Sequence, residues 1–177
     1  VINKKPWVKY WMHGEFLLNK GKKASKNRGG FYTVSELENI GYDPLAFRYL
    51  CLLTNYRKRL NFSLENLDAA KNAFDSLKNK MLEFKENPFS KGKGKVKDYE
   101  EMFLEKINDD LNMPEALAVV WTLLKDNEIG NKEKYNLMLK FDKVLGLGLK
   151  RLKVTSKLPK DIEKLVEERE KARKNKD

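Results

Sequence analysis

At 177 residues the chain can form one ordinary domain with a real core, or one domain plus part of another. Lys and Arg outnumber Asp and Glu by 37 to 26, a formal charge of +11 that favours polyanions over neutral or basic partners. A single cysteine and a single histidine exclude an internal disulfide framework and a Cys/His zinc site built from this chain alone, and no apolar run approaches a membrane span.

The positive charge sits at the two ends. Residues 1–30 hold eight Lys/Arg against one acid, residues 150–177 hold eleven against six, and the 119 residues between them hold 18 against 19. The segment Val1-Ile2-Asn3-Lys4-Lys5 lacks a signal-peptide core, so a cytoplasmic protein is expected. Residues 6–18 are aromatic and short, and predict strands joined by a turn at Gly14 or Glu15. The run Gly21-Lys22-Lys23-Ala24-Ser25-Lys26-Asn27-Arg28-Gly29-Gly30-Phe31 then sets cations and a hydroxyl in a glycine-flanked loop, a composition suited to a polyphosphate.

Helical signals follow. Thr33-Val34-Ser35-Glu36 has capping-box spacing, Asp43-Pro44 pairs an N-cap carboxylate with a first-turn proline, and Ser63 caps a third helix. That helix carries Leu64, Leu67, Phe74, Leu77, Met81 and Phe84 at three- and four-residue recurrences, which predicts one apolar face along a bundle. Cys51, within Tyr49-Leu50-Cys51-Leu52-Leu53, reads as a buried, inert thiol. Pro88 to Lys97 alternates glycine with lysine and predicts a mobile basic loop. Periodicity resumes over Tyr99 to Ile107. Pro114 opens an apolar helix expected to be the most buried, and another helix runs from about Lys132 to Leu145 and stops at Gly146. A last helix is predicted from near Pro159, with Ile162, Leu165 and Val166 on one side and Glu167/Lys171 and Glu170/Lys174 spaced for exposed ion pairs.

These segments resemble, in order, those of the cysteinyl-tRNA synthetases, a class I aminoacyl-tRNA synthetase family. Lys9-Tyr10-Trp11-Met12-His13 resembles the segment before the family's Lys-Met-Ser-Lys-Ser signature, and Gly29-Gly30-Phe31-Tyr32-Thr33-Val34 its continuation. Gly41-Tyr42-Asp43-Pro44, Asn55-Tyr56-Arg57 with Leu60-Asn61-Phe62-Ser63, Asp109-Asp110-Leu111-Asn112-Met113-Pro114-Glu115-Ala116-Leu117 and Val144-Leu145-Gly146-Leu147 resemble later family segments. In the signature, Lys23 corresponds to the first lysine, Ser25 to the serine and Lys26 to the second lysine, while Ala24 stands for methionine and Asn27 for the final serine.

The resemblance implies a mainly α chain. Residues 1–57 would be the end of a Rossmann-type α/β catalytic domain with its signature loop and stem-contact region. Residues 58–147 would be an antiparallel, tRNA-supporting helical bundle, and 148–177 a basic linker and the start of a C-terminal helix that stops inside its element. It implies activation of cysteine with ATP and Mg, and transfer to tRNA(Cys), by a cytoplasmic monomer with no membrane partner. Lys26 and Lys23 would be catalytic, and Lys26 with Ser25 would hold the ATP phosphates. The family's ATP-binding His-x-Gly-His motif and its zinc ligands (two Cys, a His and a Glu) have no counterpart here, so the chain alone is expected to be inactive, with His13 supporting the site's architecture. Two other functions stay open: a non-catalytic helical tRNA-binding or scaffold module, and a paralogue charging a cysteine-containing sugar, against which the long bundle argues.

Overall fold

The computed structural model describes residues 8–19, 22–23, 32–90, 92 and 94–153, with Asn19, Lys22 and Lys23 described by their backbone. Strand β1 (Leu17–Asn19) lies between β2 (Lys22–Lys23), its antiparallel neighbour, and β3 (Leu60–Phe62), which runs parallel to it. Parallel neighbours require a crossover, here made by helices α1 (Val34–Asn39) and α2 (Pro44–Leu52). The strands expected across residues 6–18 are therefore confined, among the described residues, to β1. Residues 8–16 form no ladder: the Glu15 N–H goes to the Tyr56 carbonyl at 2.8 Å, the Phe16 N–H goes to the Glu15 carboxylate at 3.2 Å, and Tyr10, Trp11 and Met12 stand in solvent.

Local chemistry explains where the helices start. The Thr33 hydroxyl accepts the Glu36 N–H at 3.2 Å while the Glu36 carboxylate accepts the Thr33 N–H at 2.6 Å, the reciprocal capping box that the sequence predicts. The Asp43 carboxylate accepts the Leu45 N–H at 2.9 Å ahead of Pro44. Helix α3 (Leu64–Glu86) opens on Ser63, whose hydroxyl accepts the Asn66 N–H at 3.1 Å. Its buried residues Leu67, Ala70, Phe74, Leu77, Met81 and Phe84 recur every three or four positions and face α2 and α6.

Cys51 departs from expectation: it is exposed. The inward side of α2 is Ala46, Tyr49 and Leu50, and the next residue is turned about 100° away from Leu50 by the helical repeat. Partial desolvation still pushes its thiol pKa up, offset only in part by the Arg48 guanidinium, so the group stays a protonated, weak nucleophile at neutral pH.

Helices α4 (Val96–Asn108), α5 (Met113–Lys125) and α6 (Asn131–Leu145) and a 3-10 turn at Leu149–Arg151 complete the described chain. Helix α5 buries Ala116, Leu117, Val119, Val120, Leu123 and Leu124 among its 13 residues, a larger share than the six of 23 in α3, the five of 15 in α6 or the lone Phe103 of α4, so it is the most buried helix, as expected. The Trp121 indole N–H donates to the Tyr49 hydroxyl at 3.0 Å and ties α5 to α2. The buried Lys134 ammonium donates to the Leu124 carbonyl at 3.2 Å, satisfying an orphan acceptor at the end of α5, and burial lowers its pKa. Helix α6 ends at Gly146, whose φ of 64° is the left-handed conformation that favours glycine. One apolar cluster runs from Leu37 to Leu149. No described helix is long and apolar enough to cross a membrane. The helix expected from Pro159, with its ion pairs, lies outside the described residues.

The glycine-lysine segment before α4 also departs from expectation, because its described residues are docked. The Gly94 N–H donates to the Glu128 carbonyl at 2.7 Å, the Asn131 N–H to the Ser90 hydroxyl at 2.7 Å, and the Asn131 side-chain amide to the Asn87 carbonyl at 2.8 Å. A Cβ on Gly92 would lie 2.3 Å from the Gly130 nitrogen and 2.4 Å from the Glu128 carbonyl oxygen. Glycine here permits close backbone contact with the α5–α6 connection. Gly92→Ala is accordingly expected to lift the segment off and to lower stability by about 1–3 kcal/mol, the usual range for overpacking. Hydrogen exchange at the Gly94 amide checks this, and unchanged protection would refute the docking role.

Candidate functional site

Of the residues expected to contact phosphate, Ser25 and Lys26 lie outside the described residues, and Lys23 is placed by its backbone as the β2 partner of Leu18. The two stems of the loop are described. The upstream stem is the β1–β2 pair; the downstream stem is Tyr32, Thr33 and α1. Both close on Phe62, which is 3 % exposed. The Tyr32 ring lies 6.1 Å from that of Phe62 at 55°, and the Phe47 ring lies 5.9 Å away at 67°, edge-on. Leu17, Thr33, Val34 and Leu37 join these three around a cavity of about 330 Å³. None of the lining residues is charged.

A second constellation lies at the entry to β3. The Asn55 side-chain oxygen accepts the Arg57 N–H at 2.9 Å, which turns the chain so that Tyr56 and Arg57 reach the same side. The Tyr56 hydroxyl donates to Asp110 Oδ1 at 2.6 Å, Arg57 Nη2 donates to the same oxygen at 3.2 Å, and Arg57 Nε donates to Asp110 Oδ2. The Arg57 hydrogen bonds, and then that of Tyr56, hold the Asp110 carboxyl below the usual carboxylate range, and the same carboxylate pushes the Tyr56 phenol up. Asp110 and Leu111 have φ of 49° and 53° at the α4–α5 junction, the left-handed region that side chains rarely adopt. Beside this knot a groove of about 410 Å³ runs between Met12, Cys51, Leu52, Leu60, Leu111, Met113 and Val144, among others.

Both segments of this knot stand out in the sequence, but their meeting does not. An acid pair at 109–110 and a Tyr-Arg pair at 56–57 were the available signal. Nothing in a single sequence couples positions so far apart. His13 is exposed and stacks on Trp11, with ring centroids 6.0 Å apart at 7°. Among the described residues no three His, Cys, Asp or Glu side chains are grouped as metal ligands. The described residues therefore do not offer the ligand set of a zinc centre.

Residues 1–72 match the family described as the tRNA synthetases class I (C) catalytic domain. The chain is similar to the cysteine–tRNA ligase of Borreliella burgdorferi (strain ZS7), at 40 % identity over 156 residues that cover 81 % of this chain and 32 % of the relative. It is similar to cysteine–tRNA ligase 1 of Burkholderia lata, at 40 % over 171 residues covering 95 % and 35 %. Against the cysteine–tRNA ligase of Leptospira interrogans serovar copenhageni the identity is 35 % over 198 residues, covering 97 % and 40 %. The chain thus spans about a third of the length of the curated relatives it matches. Similarity at this level, sustained through the loop stems and the helices packed behind them, makes the chain a member of the cysteinyl-tRNA synthetase family.

Proposed function

We propose that the chain supplies the signature loop and the tRNA-supporting helices of a cysteine–tRNA ligase. The observation that carries this is the 40 % identity to cysteine–tRNA ligases over most of the chain, with Lys23, Ser25 and Lys26 in signature positions. In the proposed reaction a cysteine carboxylate oxygen bonds to the α-phosphorus of ATP as the bond to pyrophosphate breaks, and a terminal ribose hydroxyl of tRNA(Cys) then attacks the aminoacyl carbonyl carbon, releasing AMP. Negative charge grows on the departing pyrophosphate, so a fixed ammonium there favours the transition state over the ground state. Lys26 is assigned that contact, with Lys23 beside it and the Ser25 hydroxyl donating to a phosphate oxygen. Mg accompanies ATP, and zinc-based selection of the cysteine thiolate is assigned to polypeptide outside these residues.

On this proposal residues 1–57 close a Rossmann-type catalytic domain, 58–147 form an antiparallel bundle along the tRNA, and 148–177 are a basic linker and helix start, in a cytoplasmic monomer. ATP–pyrophosphate exchange with cysteine tests it. The chain alone is expected to be inactive, and the chain joined to the catalytic half of a related cysteine–tRNA ligase is expected to exchange. Exchange in neither refutes the catalytic assignment. Ala24 and Asn27, in place of methionine and serine, favour a second reading as a non-catalytic tRNA-binding module, which that outcome would support. Under either assignment tRNA binding by the chain should weaken steeply with salt, log K falling linearly with log salt concentration at roughly −0.7 to −0.9 per phosphate contacted, the range spanned by single strands and B-form duplexes. A flat salt dependence in a filter-binding series would exclude phosphate contacts.

A further inference from the structure

We infer that Asp110 is a positioning residue: the strained α4–α5 turn latches Tyr56 and Arg57, and through them sets the place of the β1–β2 hairpin. The connection is continuous in named contacts. At one end the turn is overdetermined by its backbone: Leu111 N–H donates to the Ile107 carbonyl at 3.2 Å, Asn112 N–H to Lys106 at 3.1 Å and Met113 N–H to Leu111 at 2.7 Å. Those bonds hold two successive side-chain-bearing residues in left-handed conformation, which is sterically unfavourable for a residue such as Leu111. Strain that persists under such constraint marks a position whose geometry is used.

The use is visible in what the carboxylate grips. Neighbouring residues of an extended chain point to opposite sides, yet Tyr56 and Arg57 meet on one carboxylate. They do so because the turn from Asn55 is closed twice, by Arg57 N–H to the Asn55 side chain at 2.9 Å and by Lys58 N–H to the Asn55 carbonyl at 2.8 Å. At the far end the Tyr56 carbonyl accepts the Glu15 N–H at 2.8 Å, and the Glu15 carboxylate lies 3.5 Å from the Arg59 guanidinium. Glu15 stands two residues before β1. The Arg57 and Asp110 side chains remain 67 % and 48 % exposed, so the pair adds little to global stability. Its effect is orientation, which three donor atoms converging on two carboxylate oxygens fix far better than a point charge would.

In the proposed ligase this latch would let helices that carry RNA bear on the strands that carry the signature loop, and that consequence rests on the ligase assignment. The latch itself does not. Hydrogen exchange on the full chain, without ATP, cysteine or RNA, tests it with two variants. Asp110→Asn keeps a residue that tolerates left-handed backbone but sets an amide group against the Arg57 donors. Leu111→Gly relieves strain and keeps the grip. The expected result is exchange at the Glu15 and β1 amides faster by roughly tenfold or more in Asp110→Asn, with α5 amides unchanged and Leu111→Gly like the parent at Glu15. The inference is overturned if Glu15 protection in Asp110→Asn stays within twofold of the parent, or if both variants shift hairpin and α5 amides together, as a merely structural turn would.

Discussion

Lys26→Ala is expected to slow cysteine-dependent ATP–pyrophosphate exchange by about 10²–10³-fold, the loss that follows removal of one pre-positioned charge-stabilising donor. The cause is local to the departing pyrophosphate, where charge develops, so the Michaelis constant for cysteine should hold steady while turnover falls. The apolar stems make the test interpretable. The loop's ends are set by Phe62, Phe47, Tyr32 and Leu17, none of which the substitution touches, and thermal unfolding of the variant should match the parent. Exchange is to be measured in the chain joined to a related catalytic half, with cysteine and ATP varied separately. Turnover unchanged in the variant would remove Lys26 from the phosphate site.

Phe103→Ala should cost about 3–5 kcal/mol of stability, the range for deleting a buried aromatic side chain. Phe103 is 2 % exposed and stacks on Phe141, with ring centroids 3.9 Å apart at 12°. It is the one residue that α4 buries fully, so its loss leaves a void and removes the anchor of an entire helix. The stacked pair adds about 0.5–1.5 kcal/mol beyond area burial. Urea unfolding should show a lower midpoint at unchanged slope. Met102→Ala, next door and 43 % exposed, should stay within about 0.5 kcal/mol of the parent. A loss under 1 kcal/mol at Phe103 would contradict the packing described.

Helix starts and stops were legible because each is settled within a few residues. Thr33, Asp43 and Ser63 carry the oxygen that an orphan N–H needs, and Gly146 supplies the conformation that α6 needs to end. The apolar face of α3 was legible for a similar reason, since its period is its own. What failed were inferences about neighbours. Tyr10 and Trp11, followed by Met12, suggested strand, but a strand exists only where a ladder partner does. Gly92 and Gly94 suggested mobility, whereas their missing side chains serve the approach of Glu128–Gly130, which local composition cannot reveal. Cys51 was misplaced because an apolar run longer than one helical face must send some members outward. At the candidate site the signature cations were legible as residue types, and the Asp110 knot was not, since it joins two segments through a turn that no propensity favours.

The parallel pairing of β1 with β3 carries a consequence for synthesis. Leu17 leaves the ribosome well before its partner Leu60, and the sheet can close only after α1 and α2 have bridged them. Non-local pairings of this kind form late, because chain closure precedes their reward. Strand β1 is therefore on the nascent chain ahead of its parallel partner, and the pairing can form only when residues 60–62 dock. Assembly order, more than helix formation, sets when the parallel β1–β3 pairing first exists in this chain.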